Sequence, residues 1–118
     1  GHGHHEASGL LAREAYELAA DTARFPAAGF GAPWAVPKFY RNTSYRGFET
    51  ATLRYDAGAY DPALGRSYAE LAAVSRTQHK SQGQGRLEPR GPSVVSMRRE
   101  AARANAGVPA ERERDLFD

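Results

Sequence analysis

Residues 1–21 have the sequence GHGHHEASGLLAREAYELAAD, in which three histidines stand directly ahead of a helical pattern. From position 6 to about position 21 the apolar residues recur every three or four positions, which predicts an amphipathic helix with one apolar stripe. The stripe consists of Leu10, Leu11, Ala15, Leu18 and Ala19. We expect Ser8 or a preceding histidine to cap the first turn, and the segment before Pro26 to end the helix.

The rest of the chain divides into further predicted elements. A second helix is predicted at residues 67–80, where apolar residues again recur at helical spacing. Strands are predicted at residues 36–41 and 49–56, the second with alternating polar and apolar positions. Glycine and proline indicate loops at residues 29–33 and 58–65. Short helices are predicted at residues 96–104 and 110–117.

The composition suits one domain with a small core. The chain has 118 residues, of which 41% are hydrophobic, and it contains 12 glycines and 7 prolines. The absence of cysteine excludes disulfides and thiolate metal sites. No apolar run approaches the roughly 20 residues of a membrane span, and no signal peptide is visible, so the sequence predicts no compartment.

The histidines of the opening segment are a candidate metal site. His2, His4 and His5 fall within four residues, and imidazole is a common zinc ligand. The spacing of three between His2 and His5 lets both side chains converge from a turn that enters a helix. The alternative is an expression tag or a flexible histidine-rich end.

A second polar cluster lies where the predicted helix 67–80 runs into a glycine-rich loop. His79, Gln78 and Gln82 stand there among hydroxyls and cations, a combination that suits a polar ligand such as a sugar or a phosphate. The alternative is a solvated helix end, where lysine and histidine interact favourably with the helix dipole. The residues alone leave both interpretations open.

Aromatic and basic residues suggest two further surfaces. One aromatic group is interpreted as packing beneath a strand rather than stacking on sugars or bases; it comprises Trp34, Phe39, Tyr40, Tyr45 and Phe48. Residues 76–103 hold seven Lys or Arg against two Glu, a local balance of +5. Because these cations stand among proline and glycine rather than on one helix face, we expect a solvated surface and no nucleic-acid partner.

Taken together, the segments resemble the PIG-L/LmbE-like zinc deacetylases. In that family a His-x-x-His pair opens a helix, and His2-Gly3-His4-His5 followed by Glu6-Ala7-Ser8-Gly9 is similar to it, with Gly-His where the family usually has Pro-Asp. The blocks PWAVPKFYRN, GAYDPALGRSYAELAAVSRTQHKSQGQG and RGPS also resemble larger bacterial members, in the same order. The resemblance covers most of the chain and argues against a tag.

The resemblance implies a Rossmann-like α/β fold, only partly present in this chain. Residues 1–118 would be part of a catalytic domain, from the second histidine motif onward, with residues 86–118 as its polar, basic C-terminal extension. In the family, zinc is held by His and Asp of an Ala-His-Pro-Asp-Asp motif and by the second histidine of His-x-x-His. His5 would therefore be the third zinc ligand, and His2 would polarise the amide carbonyl. The chain lacks the other motif, and with it two ligands and the general base.

The expected function is a part of a zinc-dependent amidohydrolase that removes acetyl from an N-acetylated amino sugar or a similar amide. His79, Gln78 and Gln82 are expected to shape the substrate pocket. We expect this fragment alone to be inactive and its two predicted strands to lack neighbours. The alternatives are a small non-catalytic module that binds nucleic acid or an anionic glycan through residues 76–103, and a structural remnant without activity.

Overall fold

The computed structural model describes residues 2–82, 85 and 87–118. Gly1, Gly83, Gln84 and Arg86, which belong to the histidine motif, the polar cluster and the basic stretch, lie outside the described residues. The helices are α1 (Gly3–Leu18), α2 (Ala27–Phe30) and α3 (Tyr68–Thr77). The strands are β1 (Lys38–Asn42), β2 (Leu53–Asp56), β3 (Tyr60–Asp61), β4 (Arg66–Ser67) and β5 (Val94–Ala102). Short 3-10 turns occur at Phe48–Thr50, Lys80–Gln82 and Ala110–Arg112.

The described strands form a sheet of order β1-β5-β2 and a hairpin of β3 with β4. Both long helices and both predicted strands are confirmed, although β2 is shorter than predicted because Phe48–Thr50 form a 3-10 turn. The helix predicted at residues 96–104 is wrong, since this segment lies in β5. The helix predicted at residues 110–117 is also wrong beyond the single 3-10 turn Ala110–Arg112.

Strand β5 corrects the expectation that the two predicted strands lack neighbours, because it pairs with both. It comes from the segment 86–118 that we expected to be an extension. The β2–β5 and β3–β4 ladders are antiparallel. A Rossmann-like fold is built on a mostly parallel sheet. The antiparallel ladders do not support that fold, so it stays a prediction for this chain. Within the described residues, no helix is long and apolar enough to cross a bilayer.

The described chain divides into two compact units, of which the first comprises Gly1–Arg41 and Arg99–Gly107. Its centre is Tyr16, which is buried and packs against Phe39 at 5.6 Å between ring centroids. The Arg103 guanidinium lies 5.0 Å from the Tyr16 ring centroid and donates to the backbone oxygens of Tyr16 and Val36, at 2.9 and 3.1 Å. Arg103 thereby satisfies a carbonyl near the end of α1, where helical partners run out.

The predicted apolar stripe of α1 is not its buried face. Leu10 and Leu11 are 69% and 63% exposed, whereas Tyr16, outside that stripe, is 6% exposed. Leu11 and Leu18 instead line a shallow groove with Phe25. Because the first unit is small, it buries only the face of α1 around the Tyr16 ring and leaves the predicted stripe in contact with solvent.

The second unit comprises Asn42–Arg98 and Val108–Asp118. Leu53 pairs with Met97 across the β2–β5 ladder and is 2% exposed. Beside it, the side chains of Thr43 and Ser96 are fully buried, with the Thr43 hydroxyl donating to the Ser96 hydroxyl at 3.1 Å. Because buried polar groups need partners, this pair fixes the local arrangement of the two segments.

The aromatic group interpreted as core packing is mostly exposed. Trp34 and Tyr45 are 67% and 90% exposed, and Phe48 lies 4.5 Å beneath the Arg54 guanidinium. The core interpretation is therefore wrong for these three residues. Phe39, which packs against Tyr16, is the member that fits it.

A close backbone approach joins β2 to the segment before β5. The Asp56 carboxylate accepts the backbone N–H groups of Gly58 and Ser93, at 2.8 and 2.7 Å. A Cβ atom at Gly58 would collide with the carbonyl oxygen of Gly91. Glycine is required at this position because two backbones meet there.

A capping box begins α3. The Ser67 hydroxyl accepts the backbone N–H of Glu70 at 3.2 Å, and the Glu70 carboxylate accepts the backbone N–H of Ser67 at 2.7 Å. The hydrogen bond from the Ser67 backbone lowers the pKa of Glu70 below its usual 4.5, and Arg90, 3.7 Å away, acts in the same direction. The sequence and the capping residues agree on where this helix starts.

Candidate functional site

The first candidate site is the histidine pair on the first turn of α1. His2 is the N-cap residue, and the backbone N–H of His5 donates to the His2 carbonyl at 3.0 Å. This turn brings the two rings to 5.7 Å between centroids in an edge-on arrangement, and both residues are exposed. The structure thus brings together the two histidines whose spacing predicted convergence.

Neither predicted cap of α1 forms within the described residues. The His2 side chain makes no capping hydrogen bond, and the Ser8 hydroxyl donates to the His4 carbonyl at 2.8 Å inside the helix. The capping prediction is therefore wrong. Because the His2 imidazole makes no capping hydrogen bond, it is not committed to the helix terminus and can contribute to the candidate metal site.

The pair does not complete a metal site by itself. Among the described residues, no group of three or more His, Cys, Asp or Glu lies close enough to hold a metal ion. Zinc in proteins takes three or four protein ligands. The donor set of His2 and His5 therefore fits a contribution to a zinc centre and does not fit a whole one.

The second candidate site is a cavity of about 1090 Å³ in the second unit. Tyr68 and Ala72 of α3 line it, together with Tyr45 and Tyr55. The volume is above the range of about 300–1,000 Å³ usual for ligand pockets, because the cavity is wide open to solvent.

Charged groups of both signs line the same cavity. Arg76 and His79 lie at the C-terminal end of α3, and Asp56 and Asp115 supply two carboxylates. The Asp115 carboxylate accepts the backbone N–H of Phe117 at 2.7 Å. The cavity combines apolar rings with hydrogen-bonding groups of both kinds.

Only part of the polar cluster predicted from sequence lines this cavity. His79 lines it, whereas Gln78 and Gln82 are not among its described lining residues. The Gln78 amide donates to the Val74 carbonyl at 3.4 Å, and Gln82 ends the 3-10 turn Lys80–Gln82. A pocket-shaping role for these residues in an enzyme stays a prediction.

The basic stretch 76–103 is dispersed over several elements. Arg90 lies 3.7 Å from the Glu70 carboxylate, and Arg103 donates to backbone carbonyls in the first unit. Arg98 and Arg99 follow each other on β5, where successive side chains point to opposite faces. The described cations of this stretch therefore do not share one face.

Sequence reasoning missed most of the cavity. Tyr45 is far in the chain from Asp115 and Phe117, and nothing local in the sequence links it to them. One signal was present: Tyr68, Ala72 and His79 fall on one face of the predicted helix at helical spacing. Tyr68 and Ala72 were interpreted as part of an apolar stripe and His79 as part of the polar cluster, and the buried residue of α3 is Ala69.

Comparisons of the chain with protein-family models, with characterised proteins and with solved structures found no match. The resemblance to zinc deacetylases therefore stays a prediction carried by the sequence blocks. The description of the two candidate sites rests on the geometry of this structure alone.

Proposed function

We propose that this chain is part of a zinc-dependent amidohydrolase that removes acetyl from an N-acetylated amino sugar or a similar amide. In this proposal the chain supplies His2 and His5 to the active site. Since these imidazoles are too few to hold zinc, two further ligands and the general base must come from residues that this sequence does not contain. The chain alone has no hydrolytic activity.

The observation that carries the proposal is the proximity of the two imidazoles at the start of α1. Their ring centroids are 5.7 Å apart, both are exposed, and one hydrogen-bonded backbone turn joins the two residues. Two imidazoles held this way can act on neighbouring atoms of one substrate group. Neither ring is buried as a core residue would be.

The two histidines take different roles in the proposal. His5 offers a nitrogen lone pair as a metal ligand, while His2 donates an imidazole N–H to the oxygen of the amide carbonyl. Zinc, when bound, lowers the pKa of a bound water to about 7 and polarises the carbonyl. The His2 donor favours the reaction because the carbonyl oxygen gains negative charge as the amide is attacked.

Binding of nucleic acid through residues 76–103 is supported less well. A nucleic-acid surface needs cations gathered on one face or groove. Here Arg103 is committed to the backbone of the first unit, and Arg90 is beside a carboxylate. No observation on the described residues favours that alternative over the histidine pair.

The proposal is tested in the longest natural polypeptide that contains this chain. His5→Ala should remove zinc and activity together. His2→Ala should retain zinc and slow the chemical step by about 10²–10³, the usual cost of losing one oxyanion donor. His4→Ala is the matched control and should change both measurements least. Full zinc and full activity in His5→Ala would refute the assignment.

The 118-residue chain provides a second arm of the test. At micromolar metal it should not bind zinc stoichiometrically, because a single ligand with one neighbouring imidazole is too few. Isothermal titration with zinc measures this directly. Hydrolysis of an N-acetyl sugar by this chain alone would contradict the proposal.

A further inference from the structure

The groove beside α1 in the first unit, which we call the α1 groove, is lined mainly by apolar side chains and has a volume of about 490 Å³. Leu11, Ala15 and Leu18 recur at helical spacing, so they lie on one face of α1. Phe25 and Phe30 line the groove from the segment that follows the helix. Leu11 and Phe30 are 63% and 69% exposed, so both would gain from being covered.

The apolar side chains of the α1 groove form a patch and are not scattered singly over the surface. The rings of Phe25 and Phe30 contact each other edge-on, at 5.4 Å between centroids. Ala15 stands between the leucines on the helix face, and a small side chain there lets a second helix approach closely. Contiguous exposed apolar surface of this kind marks an interaction site.

Two opposite charges lie within the same groove. Glu14 and Arg24 both line it, and both are exposed. Within the described residues, no ion pair joins Glu14 or Arg24 to each other or to a third residue. By contrast, Arg13 and Glu17 on the same helix pair at 3.4 Å. An occupant that complements the α1 groove must therefore bring a cation to Glu14 and an anion to Arg24.

We infer that the α1 groove is the interface of a two-fold symmetric homodimer, in which Glu14 of each copy pairs with the partner's Arg24. In a two-fold interface, a contact from one residue to another is always accompanied by the reverse contact. A single arrangement therefore pairs all four charges, whereas an occupant with charges of one sign would leave Glu14 or Arg24 without an opposite charge. The ion pairs select the orientation of the two copies, and burial of Leu11 and Phe30 favours association.

This interface is independent of the proposed deacetylation. It uses neither histidine of the candidate metal site and needs no zinc. An inactive chain that dimerises through the α1 groove would leave the inference intact, and an active enzyme that does not associate would overturn it.

The first test is sedimentation equilibrium of the 118-residue chain over micromolar to millimolar concentrations, in the presence of EDTA. We expect a reversible equilibrium between monomer and dimer. Leu11→Ser should raise the dimer dissociation constant by about tenfold or more, because each copy loses one leucine from the interface. Leu10→Ser is the matched control and should stay within about twofold of the parent, since Leu10 is 69% exposed and is not among the described residues that line the groove.

The second test exchanges the charges of the α1 groove. Glu14→Arg alone and Arg24→Glu alone each place like charges opposite one another at both pairs, so each variant should dimerise at least about tenfold more weakly. An equimolar mixture of the two variants restores opposite charges at both pairs and should form a heterodimer with nearly the affinity of the parent. Glu17→Arg, a reversal on α1 outside the described lining of the groove, is the control and should leave dimerisation within about twofold. All three side chains are exposed, so these reversals should not unfold the chain.

Four outcomes would overturn the inference. The first is a parent chain that remains monomeric at millimolar concentration, which would leave the groove to a different occupant. The second is open-ended assembly beyond the dimer, because a two-fold interface closes on itself. The third is equal weakening by Leu10→Ser and Leu11→Ser. The fourth is a mixture of Glu14→Arg and Arg24→Glu that associates no better than either variant alone.

Discussion

Replacement of Arg103 by methionine tests how the first unit is held together. The guanidinium donates to the carbonyl oxygens of Tyr16 and Val36 and lies over the Tyr16 ring. The substitution Arg103→Met keeps a long apolar stem and removes both donors and the charge. The Tyr16 carbonyl near the end of α1 and the carbonyl before β1 then lose their protein partner.

The expected loss follows from those contacts. A hydrogen bond from a charged donor contributes about 1.5–3 kcal/mol, and a partly exposed cation–π contact about 0.5–1 kcal/mol. The low end of each range applies, since these groups are part-buried. After the side-chain entropy that Arg103 regains on release, about 2 kcal/mol of unfolding free energy should disappear.

The assay is urea denaturation followed by the fluorescence of Trp34, the single tryptophan, which lies in the first unit. Arg13→Met is the control, because Arg13 also lies near the rings of Tyr16 and Phe39 but pairs with Glu17 on the helix surface. Such an exposed pair contributes about 0.5 kcal/mol or less. Equal losses for the two variants would refute a special role for the Arg103 hydrogen bonds.

The second unit carries three further predictions. Gly58→Ala should destabilise it by about 1–3 kcal/mol in urea denaturation, because the new Cβ meets the Gly91 carbonyl; Gly29→Ala, which meets nothing within 4 Å, is the control. Leu53→Ala should cost about 2–5 kcal/mol by the same measurement, since Leu53 is 2% exposed, and a loss below about 1 kcal/mol would contradict its core position. Glu70 has a lowered pKa, so its contribution to stability is present above pH 4.5 and is lost as pH falls through its folded pKa. Thermal unfolding of Glu70→Gln should therefore show a flatter acid limb than the parent, and an unchanged limb would count against this linkage.

Local patterns predicted the elements whose structure is decided locally. Helix α3 was predicted from its apolar spacing, and the structure adds the capping pair Ser67 and Glu70, which satisfy each other within four residues. Strand β5 was missed because Arg98–Arg99–Glu100–Ala101–Ala102 favours a helix by propensity. Its strand conformation depends on partners distant in sequence, among them Leu53 opposite Met97.

The two candidate sites differ in the same way. His2 and His5 lie three residues apart, so sequence alone predicted that their rings meet. The cavity of the second unit draws Tyr45, Tyr68 and Asp115 from three separate segments. A site of that kind is visible only when the fold has brought the segments together.

A small core gives bound ligands a large influence on stability. Among the described residues, the buried set holds as many polar as apolar members. The apolar ones are Tyr16, Leu53, Ala69 and Ala106, and the polar ones are Thr43, Ser67, Ser96 and Glu113. A ligand at a hundred times its dissociation constant adds about 2.7 kcal/mol to the folded state it binds. That gain exceeds the contribution expected of Arg103, so a ligand that binds either unit should raise the unfolding free energy of that unit measurably.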